Sequence, residues 1–243
     1  MTKRARRAIV TGGSRGIGLA IARALAAAGG HVMITGRDPS ALDRAVRTLR
    51  TAATGEGNVE SAAVDVRDRA AVTKLVADTA GRFGGLDTLI NNAGVGVFAS
   101  VASMSDDDWA RVIDTNLTGV FYCCRAAIPE MKRAGGGWII NIASLAGRNY
   151  FPEGGAYCAS KAGLIAFSES LMQEVRFDGI RVSVVMPGSV ATEFSGPMAS
   201  DDESWKLSPD DVAETVMGLL EHPGRSLPSK VEIRPAKPKS GHR

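Results

Sequence analysis

Residues 8–35 change hydrophobic period twice, and this pattern constrains the fold more than any other feature of the chain. A short β-rich run ends at Thr11, glycines follow, and an apolar pattern with helical spacing spans residues 17–28. Gly29 and Gly30 then end the helix, and a second β-rich run, HVMIT, begins at His31. The pattern predicts a strand, a helix and a second strand in succession.

The same alternation continues along the chain. It predicts further strands at VESAAVDV, LDTLINNAG, GGWIINIAS, IRVSVVMPG and KVEIRP, and helices over residues 69–83, 106–133 (one helix or two) and 156–175. Strands that alternate with helices of this length indicate a parallel sheet covered on both faces. We therefore predict an α/β fold: a single domain over residues 1–243, with a Rossmann-type, doubly wound parallel sheet of about seven strands.

Two signals mark the boundaries of the last predicted helix. Ser208 is a capping residue followed by Pro209 and two acids, so a helix starts there, and it stops near His222. The polar segment SGPMASDDESWK before it, residues 195–206, is the segment we predict to be a mobile loop.

The composition is that of a soluble globular protein with a large core, with 44% hydrophobic and 23% charged residues and a mean hydropathy of +0.00. No apolar run reaches the roughly 18 residues that a membrane span needs, and no signal-type segment is visible, so a cytoplasmic location is the default. The three cysteines are an odd number without paired metal-ligand spacing, which indicates free buried thiols. The three histidines are scattered, and we predict no metal site.

The net charge of +3 is concentrated at the two ends of the chain, residues 1–7 and 236–243. Neither basic run interleaves aromatic residues or continues into a folded face. We therefore interpret both as short solvated tails, with no membrane partner, and keep nucleic-acid binding only as an alternative that salt-sensitive binding would reveal.

Gly12, Gly16 and Gly18 stand directly after the first predicted strand and open the first predicted helix. In this context glycines let the backbone approach a pyrophosphate, whose charge is met by free N–H groups and the helix dipole. The alternative is a tight turn with close packing between helix and strand.

The end of the second predicted strand indicates which dinucleotide binds. Proteins of this fold that use NAD place an acid there, whereas a basic residue accommodates a 2′-phosphate. Gly36 occupies the expected acid position, Arg37 follows, and Arg15 lies in the glycine loop, which favours NADP(H) over NAD(H). Asp38 is interpreted as the cap of the next helix. A register shift of one residue would reverse this preference, and Arg37 as a plain surface residue is the other alternative.

The stretch YCASK places Tyr157 and Lys161 four residues apart in a predicted helix, so both side chains project from one face. A cation about 5 Å from the phenol, at an effective dielectric of about 20, favours the phenolate by roughly 3 kcal/mol. We therefore expect a Tyr157 pKa lowered by roughly two units and a usable proton donor and acceptor. A chance surface pair is the alternative.

At this point the chain resembles the short-chain dehydrogenase/reductase family, from Ala8 to about Pro235, and most closely its NADP-dependent, 3-oxoacyl-reductase-like branch. The resemblance rests on motifs that agree in order and spacing: TGGSRGIG, NNAG, Asn116 in DTNLTG, Ser144 in IINIAS, YCASK and MPGSVAT. The short segment 193–207 and the basic end VEIRPAKPKSGHR depart from that branch, so substrate identity does not carry over.

The resemblance implies a catalytic set of Asn116, Ser144, Tyr157 and Lys161. Tyr157 would exchange a proton with the substrate oxygen, Lys161 would lower the pKa of Tyr157 and hold the nicotinamide ribose, and Ser144 would hydrogen-bond the same oxygen. Asn116 would hold a water that links Lys161 to solvent. From the residues alone, Asn116 bridging two helices, Ser144 capping a turn and Asp65 capping a helix remain alternatives.

The resemblance also implies a cofactor-binding set, with Asp65 at the adenine, Asn91 beside the ribose, and Val190 and Thr192 near the nicotinamide amide. The full set is Gly12, Ser14, Arg15, Gly16, Ile17, Gly18, Arg37, Asp65, Val66, Asn91, Ala93, Gly94, Tyr157, Lys161, Pro187, Gly188, Val190 and Thr192.

The expected substrate pocket has apolar and aromatic walls, which suit a mainly apolar ketone or secondary alcohol. The walls come from Val95, Val97, Phe98, Leu145, Tyr150 and Phe151. Arg148 is either a contact for an anionic substrate group or a solvated loop residue.

We predict an NADPH-dependent carbonyl reductase, reversible as an alcohol dehydrogenase, in a homotetramer or homodimer. The alternatives are an NAD-dependent alcohol dehydrogenase and a catalytically idle dinucleotide sensor.

Overall fold

The computed structural model of the chain describes residues 5–192, 194 and 203–237. Within these residues, seven strands form one sheet in the order β3-β2-β1-β4-β5-β6-β7, and every pairing between them is parallel. The predicted fold class is confirmed. The strands are β1 (Arg7–Thr11), β2 (His31–Gly36), β3 (Val59–Ala63), β4 (Thr88–Asn91), β5 (Gly137–Ile142), β6 (Ile180–Pro187) and β7 (Lys230–Ile233).

Helices connect the strands and cover both faces of the sheet. A π-helical turn, Asp114–Thr118, joins α4 to α5 where the sequence predicted one helix or two. The helices are α1 (Gly16–Ala27), α2 (Pro39–Ala52), α3 (Arg69–Phe83), α4 (Asp106–Ile113), α5 (Gly119–Arg133), α6 (Gly155–Val175) and α7 (Pro209–Glu221), with 3-10 turns at Leu145–Gly147 and Arg176–Asp178.

The hydrophobic core is divided between the two faces of the sheet. On one face α1, α2 and α7 bury residues such as Ile21, Leu42 and Val216. On the other face α3, α5 and α6 bury residues such as Leu75 and Leu164. The strands between them carry nearly continuous apolar runs, as expected for a parallel sheet that is buried on both sides.

The predicted helix boundaries are confirmed where capping residues mark them. The Asp38 carboxylate accepts hydrogen bonds from the backbone N–H groups of Ser40 and Ala41, at 2.9 and 3.3 Å, and so caps α2. Ser208 and Asp211 form a reciprocal capping box at the start of α7. Both caps position the segments that border the cleft described below.

The N-terminal tail is shorter than predicted. Arg7 is the first residue of β1 and only 5% exposed, and its Nε donates to Asp87 Oδ2 at 2.9 Å. The Arg6 guanidinium donates to the carbonyl of Leu220. The prediction of a solvated tail over residues 1–7 is therefore wrong at these two arginines, because an ion pair holds Arg7 and a hydrogen bond holds Arg6. Residues 1–4, 193 and 238–243 lie outside the described residues, as do residues 195–202 of the predicted mobile loop 195–206.

All three cysteines, Cys123, Cys124 and Cys158, are buried free thiols, as predicted. Burial raises the pKa of Cys123 to about 12 and also raises the pKa of Cys124, so neither thiol is a nucleophile at neutral pH. Among the described helices, none has the length and apolar character required to cross a bilayer.

Candidate active site

A cleft of about 1540 Å³ opens at the carboxyl ends of the parallel strands, where ligands bind in open α/β sheets. The glycine loop after β1 lines the cleft, together with the residues that follow β4, β5 and β6. Tyr157 and Lys161 reach it from α6. The cleft therefore brings together most of the residues predicted from the sequence.

The glycine loop leaves the start of α1 open to a ligand. Gly12 and Gly16 have φ angles of +64° and +54°, which side chains rarely adopt. Helix α1 has no side-chain cap and no acid in its first turn, so its first N–H groups and the positive end of its dipole are available. Ser14, Arg15 and Ile17 line the cleft beside them. This arrangement fits a pyrophosphate.

Gly18 does not line the cleft, although the sequence placed it in the phosphate loop. A Cβ at this position would lie 2.3 Å from the carbonyl oxygen of Gly12 and 2.4 Å from Nδ2 of Asn92. Gly18 therefore permits close packing of α1 against the loop, which is the alternative that the sequence left open.

Three arginines line the cleft near the end of β2: the predicted Arg15 and Arg37, and Arg44 on α2. Gly36 adds no side chain there, and the Asp38 carboxylate caps α2. Arg44 escaped the sequence analysis because it lies within a helix rather than in a motif. The cations at this end of the cleft suit an anionic group.

Asp65 and Val66 line the cleft beyond the end of β3. The Arg67 guanidinium contacts both oxygens of Asp65, with an Nη2–Oδ2 distance of 2.6 Å, and this hydrogen bonding lowers the pKa of Asp65. The cap of α3 is Asp68 rather than Asp65. The Asp65 carboxylate is thus ionised and held at the cleft by its neighbour.

The structure does not place the Asn91 side chain at the cleft. Asn91 is 2% exposed, and its Nδ2 donates to Asn141 Oδ1 at 2.8 Å within the core. The next residue, Asn92, lines the cleft with Ala93 and Gly94. Side chains alternate between the two faces of a strand, so a prediction that is wrong by one residue selects the opposite face.

Tyr157 and Lys161 lie one helical turn apart on α6, as the sequence predicted. Tyr157 and Ser144 both line the cleft and lie close enough for Ser144 to affect the pKa of Tyr157, and the Ser144 Oγ accepts from Ala146 N at 3.1 Å. Ser144 therefore caps a turn and faces the cleft at the same time. Lys161 is 5% exposed, and its Nζ donates to the Ile142 carbonyl at 2.9 Å and lies 5.8 Å from the centroid of the Tyr157 ring.

The pKa of Tyr157 moves in the direction opposite to the prediction. Burial raises the pKa of the phenol, and the nearby Ser144 hydroxyl opposes that rise in part. Burial also lowers the pKa of Lys161 to about 8. The predicted lowering of the Tyr157 pKa by a nearby cation was wrong for two reasons. The Lys161 ammonium donates to the Ile142 carbonyl, and burial removes water from both the phenol and the ammonium.

Asn116 lies in the π-helical turn, is fully buried and does not line the cleft. Its Oδ1 accepts from Val95 N at 2.8 Å, and its Nδ2 donates to Val95 O and to Ser160 Oγ, at 2.9 and 3.0 Å. A Cβ on Gly94 would lie 3.3 Å from Asn116 Oδ1 and 3.6 Å from Lys161 Nζ. Asn116 therefore bridges the segment after β4 to α6, immediately beside Lys161.

The remaining residues of the predicted cofactor set lie at the cleft after β6: Pro187, Gly188, Val190 and Thr192. Leu207 pairs with this segment, since its backbone N–H donates to Ser189 O at 2.9 Å. The pairing carries Trp205 to the cleft wall, which the sequence analysis missed. Phe194, another ring that it missed, also lines the cleft.

The predicted substrate walls are only partly present. Val95, Phe98, Leu145 and Phe151 line the cleft, whereas Val97 and Tyr150 do not. Tyr150 is 71% exposed. Arg148 also lies outside the cleft lining, with its Nη1 2.6 Å from Glu232 Oε1, so the interpretation of Arg148 as a contact for an anionic substrate is not supported.

The fold and this cleft define the class of oxidoreductases that bind a nicotinamide dinucleotide at the carboxyl edge of a parallel sheet. Residues 6–203 match the family model of the short chain dehydrogenases. The chain belongs to this family and is an oxidoreductase.

Relatives and solved structures agree with the family assignment. An uncharacterized oxidoreductase of Staphylococcus saprophyticus is 36% identical over 232 residues, covering 94% of this chain and 96% of that protein. A metagenomic short-chain oxidoreductase solved in complex with NADP has a TM-score of 0.81 and 37% identity, covering 95% and 97% of the two chains. An alcohol dehydrogenase from the archaeon Thermococcus sibiricus, complexed with 5-hydroxy-NADP, has a TM-score of 0.87 and 29% identity, covering 96% and 98%.

Proposed function

We propose that this protein is an NADP(H)-dependent carbonyl reductase that also runs in reverse as a secondary alcohol dehydrogenase. One observation carries the proposal: Tyr157 and Ser144 line the same part of the cleft, where Ser144 affects the pKa of Tyr157, and the buried Lys161 lies one turn along α6. A protein that only bound a dinucleotide would not need a phenol, a hydroxyl and an ammonium in this arrangement.

The residues at the other end of the cleft fit NADP(H). The open start of α1 would hold the pyrophosphate, and Arg15, Arg37 and Arg44 would meet the 2′-phosphate. The NADP and 5-hydroxy-NADP bound by the two similar structures support this preference over NAD(H). When bound, NADPH supplies a hydride to the carbonyl carbon of the substrate.

The chain's own residues complete the reaction at the oxygen. Ser144 and Tyr157 donate hydrogen bonds to the carbonyl oxygen and position it. As the carbon gains the hydride, Tyr157 transfers its proton to the oxygen, which gives the alcohol and leaves a phenolate. The Lys161 ammonium stabilises that phenolate, and Asn116 holds the segment beside Lys161 in place. In the oxidative direction Tyr157 takes the proton back.

The test compares wild type with Tyr157→Phe, using initial rates of NADPH and NADH consumption against ketones, aldehydes and 3-oxo thioesters. General acid catalysis contributes about 10²–10⁴-fold, so turnover falls by roughly that factor while NADPH binding persists. Tyr150→Phe is the control, because it removes the same hydroxyl from a ring outside the cleft. Full turnover by Tyr157→Phe would refute the catalytic role, and NADPH binding by a wild type that turns over nothing would favour the idle sensor.

We further propose a cytoplasmic homotetramer or homodimer of single-domain subunits associated through α5 and α6. The outer surface of these helices carries an exposed aromatic cluster that supports the proposal. Phe121 is 41% exposed, its ring lies 6.5 Å from that of Phe167, and Arg125 stacks over it at 4.8 Å. Sedimentation that showed a monomer at micromolar concentration would refute it.

A further inference from the structure

Three exposed phenylalanines form an aromatic cluster with the ring of Tyr157. Phe98 and Phe151 are each 44% exposed, and Phe194 is 40% exposed, yet all three line the cleft. They come from three separate segments of the chain. An apolar patch that faces water beside the proposed proton donor indicates a surface that a ligand covers.

The geometry of the rings is that of an aromatic cluster with an open side. The Tyr157 ring lies edge-on to Phe98, with centroids 5.7 Å apart, and tilted to Phe194, with centroids 5.6 Å apart. Phe151 extends the cluster at 5.9 Å from Phe98. All three distances are within the range of favourable ring pairs, about 4.5–7 Å. An aromatic ring of a ligand could pack against Phe98 and Phe194 at similar centroid distances.

Gly96 allows both of these rings to lie against the backbone of the segment after β4. A Cβ at Gly96 would lie 2.9 Å from Cε1 of Phe194 and 3.0 Å from Cζ of Phe98, so any side chain would push the rings apart. The absence of a Cβ at Gly96 therefore determines how close the Phe98 and Phe194 rings lie to this segment.

The charged residues at this end of the cleft do not favour an anionic ligand. Lys206 lines the cleft but is paired with Glu203, and Arg234 is paired with Glu232 at 2.9 Å. These two cations already have carboxylate partners, and the Lys161 ammonium is buried and donates to the Ile142 carbonyl, so the rings are the feature most available for substrate recognition.

We propose that the substrate is a ketone or alcohol whose carbonyl or carbinol carbon bears a planar aromatic ring, and that this ring packs against Phe98 and Phe194. Gly96 is then a specificity-determining residue, because it sets the position of both rings. The inference rests on the proposed reductase function and names its substrate class.

The test uses two ketones of nearly equal size, acetophenone and methyl cyclohexyl ketone, which differ in whether the ring is aromatic. Contacts with two phenylalanine rings predict that wild-type kcat/KM with NADPH is about tenfold higher for acetophenone. Phe194→Leu keeps an apolar side chain but removes the ring, so it brings the ratio close to one. Gly96→Ala lowers the ratio as well, because it displaces both rings.

Phe177→Leu is the matched control, since Phe177 is 87% exposed and lies outside the cleft lining, and it leaves the ratio unchanged. A wild type that reduces both ketones equally, or a Phe194→Leu variant with an unchanged ratio, would overturn the aromatic preference while leaving the reductase function intact.

A second experiment measures the binding of both ketones to the NADP⁺-loaded protein by calorimetry, and it distinguishes the aromatic site from the reductase function. Preferential binding of acetophenone that Phe194→Leu abolishes, without turnover of any ketone, would support the aromatic site and refute the reductase.

Discussion

In the cofactor half of the cleft, around the glycine loop and Arg37, hydrogen bonds to backbone carbonyls hold the loops in place, whereas aromatic side chains line the substrate half, around Tyr157 and Phe98. In the first half, Gly13 N donates to Thr35 O at 3.1 Å, and the Asn92 amide donates to Gly12 O at 3.1 Å. In the second half, Phe98 and Phe194 each pack against the ring of Tyr157, and both lie close to Gly96. The shape of the first surface depends on the backbone of the loops, and the shape of the second depends on side chains that rotate about their χ angles.

This difference predicts different tolerance to substitution. A backbone that is held by hydrogen bonds and close glycine contacts cannot move aside for an added carbon, so small changes there cost stability as well as cofactor affinity. Rings at the mouth of a cleft are partly exposed, so replacing one changes substrate choice with little cost to the fold.

The largest expected effect is that of Gly18→Ala in the cofactor half. The added Cβ would lie 2.3 Å from the Gly12 carbonyl oxygen, which belongs to the backbone and cannot swing away. We expect a loss of about 3 kcal/mol in the free energy of unfolding, measured in urea, together with weaker NADPH binding.

Gly81→Ala is the matched control for that substitution. Gly81 also lies in a helix, α3, but a Cβ there would meet no atom within 4 Å. Alanine is the better helix former, so this variant gains up to about 1 kcal/mol in the free energy of unfolding. If both glycines respond alike, the cofactor half is no more rigid than an ordinary helix and the contrast between the two halves is lost.

The same contrast explains what could be predicted from the sequence. The fold and the cofactor half follow from local patterns, because the alternation of strands and helices and the glycines of residues 12–18 are each contained in a short stretch. Phe194 and Trp205 could not be predicted, because neither residue belongs to a sequence motif. Trp205 lies at the cleft through the pairing of Leu207 with the segment after β6. Asn91 was misplaced for a different reason, since neighbouring strand residues face opposite sides of the sheet.

The predicted pKa of Tyr157 failed because it was argued from a distance within one helix. Burial depends on residues far away in sequence, and it outweighs the attraction expected from Lys161 four residues on. The solvation of a side chain depends on the whole folded chain, so it cannot be predicted from the spacing of two residues in one helix.

The second prediction concerns Tyr157, which lies between the two halves. Because burial raises its pKa above the usual value of 10.0, the phenolate is a minor form at neutral pH, and its fraction rises about tenfold per pH unit. We expect kcat/KM for alcohol oxidation to rise about hundredfold from pH 6 to 8, while kcat/KM for ketone reduction stays nearly flat. An oxidation profile that reached a plateau well below pH 8 would show that Lys161 lowers the phenol pKa after all.

The third prediction uses Lys161, whose pKa falls from 10.5 to about 8 on folding because the ammonium is buried. Between these two values the unfolded chain holds a proton that the folded chain has released, so stability rises with pH. We expect wild type to gain about 2.5 kcal/mol relative to Lys161→Met between pH 7.5 and pH 10, measured by urea unfolding at each pH. A stability difference that does not change with pH would mean that Lys161 is solvated in the folded protein.

The smallest expected effect returns to the cofactor half, at Arg37. A hydrogen bond to a charged group contributes about 2 kcal/mol, so Arg37→Ser should lower kcat/KM for NADPH roughly thirtyfold and leave kcat/KM for NADH nearly unchanged. Arg47→Ser is the matched control, because it removes the same charge from α2 at a position outside the cleft lining. Unlike Gly18→Ala, the Arg37 variant should unfold at the wild-type urea concentration, since Arg37 is exposed. Equal losses with NADPH and NADH would indicate that Arg37 shapes the backbone of the cofactor half instead of recognising the 2′-phosphate.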